Sequence, residues 1–343
     1  MRKSALPAML KKKIALVLLL LLIIGYLMGP RPASSSYHKE LVDLPVDPLQ
    51  LEMYIAQQEA KHKIKPDNEA RIVWFDSLKR PTPFSIVYLH GFSASQGEGD
   101  PIHRQIAQQF GCNLFLSRLA EHGIDTTSPL RQLTANKYWE SAKEAFAVGA
   151  RIGKKVILMG TSTGGTNALQ LAAAYPDQIA AILLFSPNIA INNDQAWLLN
   201  NPWGLQLATL ITGSRDIYTP DQREIYKRYW NSHYRLEAVV ALEEMLETSM
   251  TPELFKAVHQ PTLLLYYFKD SLHQDRVVKV SAMQTMFSQL STPDSLKRSK
   301  ALPNTGDHVL ASPIKSKDIA AVQEEVRSFL EEILHLTPLK EKP

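Results

Sequence analysis

The fold prediction starts from the stretch Val156-Ile157-Leu158-Met159-Gly160-Thr161-Ser162-Thr163-Gly164. Apolar residues typical of a buried strand lead into Gly-x-Ser-x-Gly, and an Ala- and Leu-rich helical pattern continues to Tyr175. A strand, a tight turn and a helix are the context in which this pentapeptide exposes a reactive serine. Glycines flank Ser162 because a side chain at either position would collide with the neighbouring strand or helix. A chance match is the alternative, but the strand and helix around the motif favour Ser162 as a nucleophile.

Bulk composition leaves room for one large α/β domain with an insertion, or for two modest domains. The chain has 343 residues, of which 45% are hydrophobic and 21% are charged, as is ordinary for a globular protein. The net charge is only +4, and much of it comes from lysines and arginines near the N-terminus, so nothing indicates a nucleic-acid partner. The single cysteine, Cys112, excludes a disulfide-stapled secreted domain.

Residues 1–29 have the pattern of a signal or anchor segment that is separate from the fold. A basic region ending in Lys11-Lys12-Lys13 precedes an uncharged stretch from Ile14 to Met28. This stretch is shorter than the roughly 17–25 residues of a spanning helix and fits a signal-peptide core, but no Ala-x-Ala cleavage site follows. We expect an uncleaved membrane anchor with a cytoplasmic N-terminus and an exported catalytic domain. A cleaved signal, giving a secreted or periplasmic protein, is the alternative.

Residues 30–48 are rich in Pro and Ser and predict a linker, and residues 49–343 predict the main domain. In that domain, short apolar runs bounded by turn residues alternate with segments of helical periodicity. Such alternation is typical of a mostly parallel, doubly wound sheet flanked by helices. At about 187–260 the β pattern stops, and helical segments rich in Trp and Tyr indicate an inserted cap. The predicted strands are 71–75, 84–89, 113–116, 155–159, 179–185, 261–268 and 297–302.

A serine hydroxyl is a weak nucleophile, so Ser162 needs a general base and a third group that orients the base. Five histidines follow it in the chain, namely His233, His259, His273, His308 and His335. His308 lies in a Gly-containing loop between the last predicted strand and the last predicted helix. At that position the carboxyl edge of a parallel sheet presents loop residues to the serine turn. We predict His308 as the base, with an ordinary loop histidine as the alternative.

Two aspartates could orient this histidine. Asp270 comes two residues after the strand that ends at Phe268, which is the simplest placement of an acid. Asp275 comes five residues later, at the entry to the next helix, where Val277 and Val278 could hold the loop against the body. The residues between the two aspartates resemble an insertion in a short acid loop. We favour Asp275, with Asp270 as the alternative acid; the other carboxylate is expected to be solvated or to cap a helix.

A tetrahedral oxyanion requires two preorganised backbone donors. The amide of Thr163, the residue after the nucleophile, is the first candidate. The second is the amide of Phe92, which follows the strand ending in Leu89-His90-Gly91, because Gly91 allows the chain to approach the serine turn closely. The same loop contains Gly97-Glu98-Gly99-Asp100, which lacks the Lys-Ser/Thr ending of a phosphate-binding loop and predicts a flexible loop.

The motifs around His90-Gly91-Phe92, Ser162, the Asp270/Asp275 loop and His308 together resemble the α/β-hydrolase superfamily. Within it, the chain is similar to the lipase, esterase and monoacylglycerol-lipase-like branch. The resemblance covers about residues 70–335 and implies the α/β-hydrolase fold with an inserted helical cap and a catalytic triad. Two features depart from that branch: Thr163 stands where bulkier residues are common, and the acid loop appears lengthened.

These observations predict a serine hydrolase that cleaves carboxylic esters of lipid-derived or other apolar acyl groups through an acyl-enzyme. The expected partners are a small-molecule or lipid ester as substrate and a membrane, reached through the N-terminal segment. No motif indicates a cofactor, a metal or an obligate protein partner. A serine peptidase of the same fold is one alternative. A non-catalytic binding protein is the other, because a fold alone does not imply activity.

Overall fold

The computed structural model describes residues 8–340. The strands in this range are β1 (Arg71–Val73), β2 (Thr82–Leu89), β3 (Asn113–Leu116), β4 (Gly153–Thr161), β5 (Ile179–Phe185), β6 (Asp216–Tyr218), β7 (His233–Arg235), β8 (Thr262–Tyr266) and β9 (Lys297–Ala301). The α-helices are α1 (Ala8–Leu27), α2 (Pro48–Glu59), α3 (Ile102–Gln109), α4 (Ala135–Ile152), α5 (Thr163–Ala174), α6 (Gly204–Thr212), α7 (Glu224–Tyr229), α8 (Leu236–Ser249), α9 (Pro252–Lys256), α10 (Val280–Gln289) and α11 (Ile319–Glu332).

Seven of the described strands form one sheet in the order β1-β3-β2-β4-β5-β8-β9. Only β1 runs antiparallel to its neighbour, and every other pairing in this sheet is parallel. The predicted mostly parallel, doubly wound sheet with flanking helices is therefore confirmed. Because the strands are parallel, the loops that follow β2, β4, β8 and β9 all leave the sheet at its carboxyl edge. Ligands bind at this edge in open α/β sheets, near the point where the strand order reverses.

The central strands are buried on both faces, which explains their continuous apolar pattern. Successive side chains of a strand point to opposite faces, so Leu158 packs in one core and Ile157 and Met159 in the other. The first core is covered by α4, α5, α8 and α10, with Trp139 and Phe146 among its largest side chains. The second core is covered by α3 and α11.

The range between Pro187 and Gln260, which was predicted to form a cap and is called the cap here, contains α6–α9 and a second, two-stranded antiparallel sheet of β6 and β7. The expectation that the β pattern stops in this region is therefore wrong for these two strands. Each strand is only three residues long, too short to show the period-two alternation by which a strand is recognised in sequence. The seven strands predicted for the main sheet, by contrast, lie within two residues of their observed bounds.

The predicted linker has no helix or strand before Pro48, but it lies against the main domain. Trp139 Nε1 donates to His38 O at 2.6 Å, and Lys143 Nζ donates to Glu40 O at 2.9 Å. Leu44 is buried in the first core. These contacts correct the linker interpretation: the segment runs along α4 as part of the folded unit. Its Pro and Ser content reflects an irregular backbone, which tertiary contacts can still order.

The first described helix is α1, whose first half contains the three consecutive lysines. Its carboxyl end lies against the cap, where Trp203 Nε1 donates to Gly25 O at 3.0 Å. Among residues 8–340, no helix has both the length and the apolar character needed to cross a membrane. The predicted membrane anchor is therefore not supported as a spanning helix. Residues 1–7 of the predicted signal or anchor segment lie outside the described residues.

Candidate active site

Ser162 occupies a sharp turn between β4 and α5. Its backbone has φ = 53° and ψ = −118°, a left-handed conformation that is strained for a residue with a side chain. The turn persists because the surrounding backbone holds it: Ser162 N–H donates to Phe185 O at 2.9 Å, and Asn188 N–H donates to Ser162 O at 2.9 Å. A Cβ on Gly164 would collide with the carbonyl of Leu89. The glycine is therefore required by the close approach of β2 to the turn.

His308 and Asp275 are joined by a buried hydrogen bond. The His308 Nδ1–Asp275 Oδ2 distance is 2.6 Å, and the side chain of Asp275 is fully buried. Oδ1 of the same carboxylate accepts the amides of Val277 at 2.8 Å and Val278 at 3.1 Å. The acid is thus held by the two backbone amides. Of the two valine side chains that were expected to pack against the body, only that of Val278 is buried, and that of Val277 is exposed.

Pairing favours the charged form of both groups, because it raises the pKa of His308 and lowers that of Asp275. Burial by itself lowers the pKa of His308, but the neighbouring charge of Asp275 and its hydrogen bond raise it, so the pKa lies above the ordinary 6.5. Burial acts to raise the pKa of Asp275, but the charge of His308, its hydrogen bond and the two valine amides hold it below its ordinary value. An ionised Asp275 facing His308 is the arrangement that stabilises an imidazolium during proton transfer.

Asp270, the alternative acid, makes no contact with His308. Its carboxylate bonds Nδ1 of His273 at 2.9 Å and accepts the amides of Leu272 and His273. This side chain is about half exposed. Residues Phe268 and Gln274 pair as a β-bridge, so the chain makes a short excursion with Asp270 near its tip before it returns. This excursion is the lengthened acid loop. Where the chain comes back from it, Asp275 lies beside Tyr267, with its side chain toward His308.

The two predicted oxyanion donors stand at the turn and on the loop after β2. Among the described residues, neither the amide of Phe92 nor that of Thr163 has a hydrogen-bond acceptor. His90 Nε2 accepts the amide of Leu119 at 3.0 Å, so the proton is on Nδ1, which donates to Gly91 O at 3.0 Å. Burial lowers the pKa of His90 to about 4, which keeps the ring neutral. Since a trans peptide points its C=O and N–H in opposite directions, this bond turns the Phe92 N–H away from His90.

Ser162 and His308 line the same cavity, which has a volume of about 590 Å³. Such a volume is within the range of small-molecule sites. One wall is mainly apolar and comes largely from the cap, and another comes from the loops at the carboxyl edge of the sheet. Residues that contribute to the apolar wall are Phe92, Tyr226, Trp230, Tyr234, Val239 and Leu242. Charged side chains at the cavity include Arg276 and Lys315.

Glu98 is the cavity residue that the sequence interpretation missed. The segment around it was predicted to be a flexible loop, but Gln96–Glu98 forms a buried 3-10 turn, and Glu98 is 2% exposed. A Cβ on the next residue, Gly99, would collide with the ring of Tyr88. The alternation of Gly, Glu and Gly directly after the β2 loop was therefore a signal of close packing and not of flexibility.

Metal ligands do not cluster in the part of the chain that the structure describes: no three His, Cys, Asp or Glu side chains converge as a metal site would require. The groups at the cavity include the hydroxyl of Ser162, the imidazole of His308 paired with Asp275, and Phe92, whose amide has no acceptor among the described residues. This set can carry out nucleophilic substitution at a carbonyl carbon.

A family model described as serine aminopeptidase, S33 (Hydrolase_4) matches residues 86–298, more than half of the chain. The chain belongs to this hydrolase family. The matched range includes Phe92 in the loop after β2, Ser162 and both Asp270 and Asp275, and it ends before His308. Membership agrees with the predicted α/β-hydrolase superfamily. No match was found among curated proteins.

Solved structures share the fold across most of the chain. A structure of the metagenome-derived lipolytic enzymes LipS and LipT has a TM-score of 0.60 at 16% identity, over 78% of this chain and 99% of that one. The monoacylglycerol lipase of Paleococcus ferrophilus has a TM-score of 0.56 at 13% identity, over 76% and 97% of the two chains. Est1E from Butyrivibrio proteoclasticus, with ferulic acid bound, has a TM-score of 0.52 at 14% identity, over 78% and 95%. At these identities the similarity shows the fold alone.

Proposed function

We propose that this hydrolase cleaves carboxylic esters with an apolar acyl group through an acyl-enzyme on Ser162. The observation that carries the proposal is the buried hydrogen bond between His308 and Asp275 in the cavity that Ser162 also lines. In this proposal His308 removes the proton of Ser162 as the hydroxyl attacks the ester carbonyl, and returns it to the leaving alcohol. The amides of Phe92 and Thr163 donate to the oxyanion.

An ester with an apolar acyl group is supported by the cavity wall that the cap contributes. Tyr226 and Trp230 stack with their ring centroids 5.1 Å apart, and Tyr234 contacts Phe92 edge to face at 4.9 Å. These rings offer apolar surface next to the proposed oxyanion donor, which favours an acyl chain or aromatic acid over a charged group. Lipases and esterases among the proteins of similar fold agree with this substrate class.

Covalent labelling of the serine tests the proposal directly. A fluorophosphonate probe should label the wild-type protein and should leave Ser162→Ala unlabelled, because the probe reacts with an activated serine. Ser93→Ala is a matched control, since Ser93 also lines the cavity but lies outside the turn between β4 and α5. An unlabelled wild type, or equal labelling of Ser162→Ala, would overturn the catalytic proposal and support a non-catalytic binding protein.

A serine aminopeptidase is the second candidate, favoured by the printed description of the matching family. The same serine, histidine and aspartate can cleave an amide when the cavity binds a peptide N-terminus. Rates on p-nitrophenyl acyl esters and on aminoacyl arylamides should be compared at equal enzyme concentration. We expect the esters to be cleaved and the arylamides not; preferential cleavage of the arylamides would replace the esterase with the peptidase.

We further propose, from the basic and apolar pattern of residues 1–29, that the catalytic domain is exported. Cell fractionation combined with mass spectrometry of the mature N-terminus tests this. Recovery of the protein in the cytoplasmic fraction would contradict export, and an N-terminus beyond residue 29 would show cleavage of the segment.

A further inference from the structure

Glu98 stands apart from the groups used above because it is a buried carboxylate that faces the reacting groups without belonging to the triad. It lines the cavity together with Ser162 and His308. A Cβ on Gly91 would lie 2.9 Å from its carboxylate and 3.0 Å from Ser162 Cβ, so this carboxylate and the nucleophile both pack close to the same glycine. Burial of a carboxylate is costly unless hydrogen bonds or charges compensate it, so its position calls for a role.

The carboxylate of Glu98 holds the loop after β2, which we call the oxyanion loop because it carries Phe92, a proposed donor to the oxyanion. Its Oε2 accepts the amide of Gly91, and the hydroxyl of Tyr88 lies 3.5 Å from the same oxygen. His90 holds the carbonyl of Gly91 from the other side. The peptide groups before and after Gly91 are thus each held by a side chain. A glycine without these bonds would have the widest conformational freedom of any residue, and the direction of the Phe92 amide would not be determined.

We propose that Glu98 is a positioning residue, which fixes the oxyanion loop through the Gly91 amide and whose negative charge faces His308 across the cavity. This inference rests on the proposed function, in which Phe92 donates to the oxyanion and His308 is the base. Glu98 contacts neither the substrate carbonyl nor the nucleophile's proton in this arrangement. It acts through Gly91 and through the field at His308.

The charge of Glu98 supports the second part of this role. Burial raises its pKa to about 7, against the lowering effects of the Gly91 amide and of His308. In turn Glu98 is one of the groups that raise the pKa of His308, after Asp275. The other titratable groups that sense it are tyrosines from the elements packed around it, namely Tyr88, Tyr138 and Tyr226. These tyrosines are neutral near pH 7, so His308 is the group whose positive charge Glu98 stabilises when its carboxyl is ionised, that is, at and above its pKa of about 7.

Two substitutions separate the two parts of the role. Glu98→Ala removes both the acceptor and the charge, and we expect kcat to fall by about tenfold or more with KM within about twofold, as for a weakened oxyanion donor. Glu98→Gln keeps an oxygen acceptor for Gly91, so kcat should return to within about threefold of wild type. Because the charge is gone, the pKa of His308 should fall, and the acid limb of kcat/KM should move to lower pH in Glu98→Gln.

Glu243→Gln is the matched control. Glu243 is also buried, and burial raises its pKa to about 7, but it lies on α8 outside the catalytic cavity. This variant should leave kcat and the acid limb unchanged. Wild-type kcat in Glu98→Ala, or an unmoved acid limb in Glu98→Gln, would overturn the proposal.

Hydrogen exchange of residues 90–95 provides a readout that does not depend on catalysis. Exchange should be faster in Glu98→Ala than in wild type and unchanged in Glu243→Gln, because only the first variant releases the Gly91 amide. Unchanged exchange in Glu98→Ala would overturn the positioning role even if the protein proved not to be an esterase. Failure of the fluorophosphonate label on wild type would instead overturn the proposed function, so the two failures are distinguishable.

Discussion

The two aspartates of the acid loop differ in the properties that an orienting acid needs. Asp275 is buried, accepts two backbone amides and bonds His308, whereas Asp270 is half exposed and bonds its own neighbour His273. A carboxylate in a buried site keeps its charge only when such donors compensate the lost hydration. The environment, and not the residue type, therefore distinguishes Asp275 from Asp270.

Asp275→Asn should lower kcat by about 10⁴-fold, because the amide cannot hold the imidazole in the required tautomer or stabilise its positive charge. Asp270→Asn should keep kcat within about threefold of wild type, since its bonds are confined to the excursion. Steady-state kinetics on a p-nitrophenyl ester measures both. The reverse pattern would show that Asp270 orients the base in the working enzyme.

The pH dependence of kcat/KM should have its acid limb above pH 6.5. In the proposed mechanism His308 acts as a neutral base, and Asp275 raises its pKa above the ordinary 6.5. Activity is therefore full at alkaline pH and is lost as the pH falls through the raised pKa. A profile from pH 5 to pH 9, with circular dichroism to check folding at each end, provides the measurement. An acid limb well below pH 6 would contradict the assigned pair.

At the scale of elements, the cap is joined to the loop that follows β2 as well as forming a wall of the cavity. The amide of Asn231 donates to Ser93 O at 2.8 Å, and Ser95 Oγ donates to Tyr229 O at 3.1 Å. Tyr234 on β7 extends this contact by packing against Phe92. The small β6–β7 sheet thus brings an aromatic ring next to a proposed oxyanion donor.

Tyr234→Ala should enlarge the cavity beside Phe92 and shift activity toward longer acyl chains. We expect the ratio of kcat/KM for a long ester to that for a short one to rise by about tenfold, the effect of a few methylenes in an apolar pocket. Tyr218→Ala is the control, because Tyr218 is on the paired strand β6 but 70% exposed and outside the cavity. For Tyr218→Ala, the ratio of kcat/KM for the long ester to that for the short one should stay within about twofold of the wild-type ratio. Equal shifts in both variants would rule out a specific role for Tyr234.

At the scale of the whole molecule, the domain includes residues that the sequence placed at its margin. The segment before Pro48 follows α4, and α2 buries Leu51 and Ile55 in the first core. The helix begins with Asp47, whose side chain accepts the amide of Gln50 at 2.9 Å, and with Pro48 in its first turn. The folded unit therefore starts well before β1.

Leu51→Ala should lower the free energy of unfolding by about 2–5 kcal/mol, the cost of a cavity in a packed core. Leu49→Ala is the matched control on the same helix, because the side chain of Leu49 is 60% exposed. Its effect should stay within about 0.5 kcal/mol. Urea denaturation followed by circular dichroism measures both. Equal stabilities of the two variants would show that α2 is not part of the cooperative unit.

Local patterns in the sequence were enough to predict the sheet and the sharp turn at Ser162. Each of these depends on neighbouring residues: a buried strand needs consecutive apolar side chains, and the turn needs glycines beside Ser162. Buried strands and long amphipathic helices repeat such patterns over many residues, so their bounds were predicted closely. The three-residue strands β6 and β7 are too short to repeat a pattern and were missed.

Tertiary structure alone decided which aspartate meets His308, that Glu98 faces the cavity and that the segment before Pro48 packs against α4. Each of these depends on groups far apart in the chain, such as the valine amides and His308 around Asp275, or Gly91 and Tyr88 around Glu98. The sequence does not distinguish an aspartate or glutamate that is solvated from one that is buried. The donors of such a carboxylate and its desolvation, which set its charge and therefore its chemistry, exist only once the chain has folded around it.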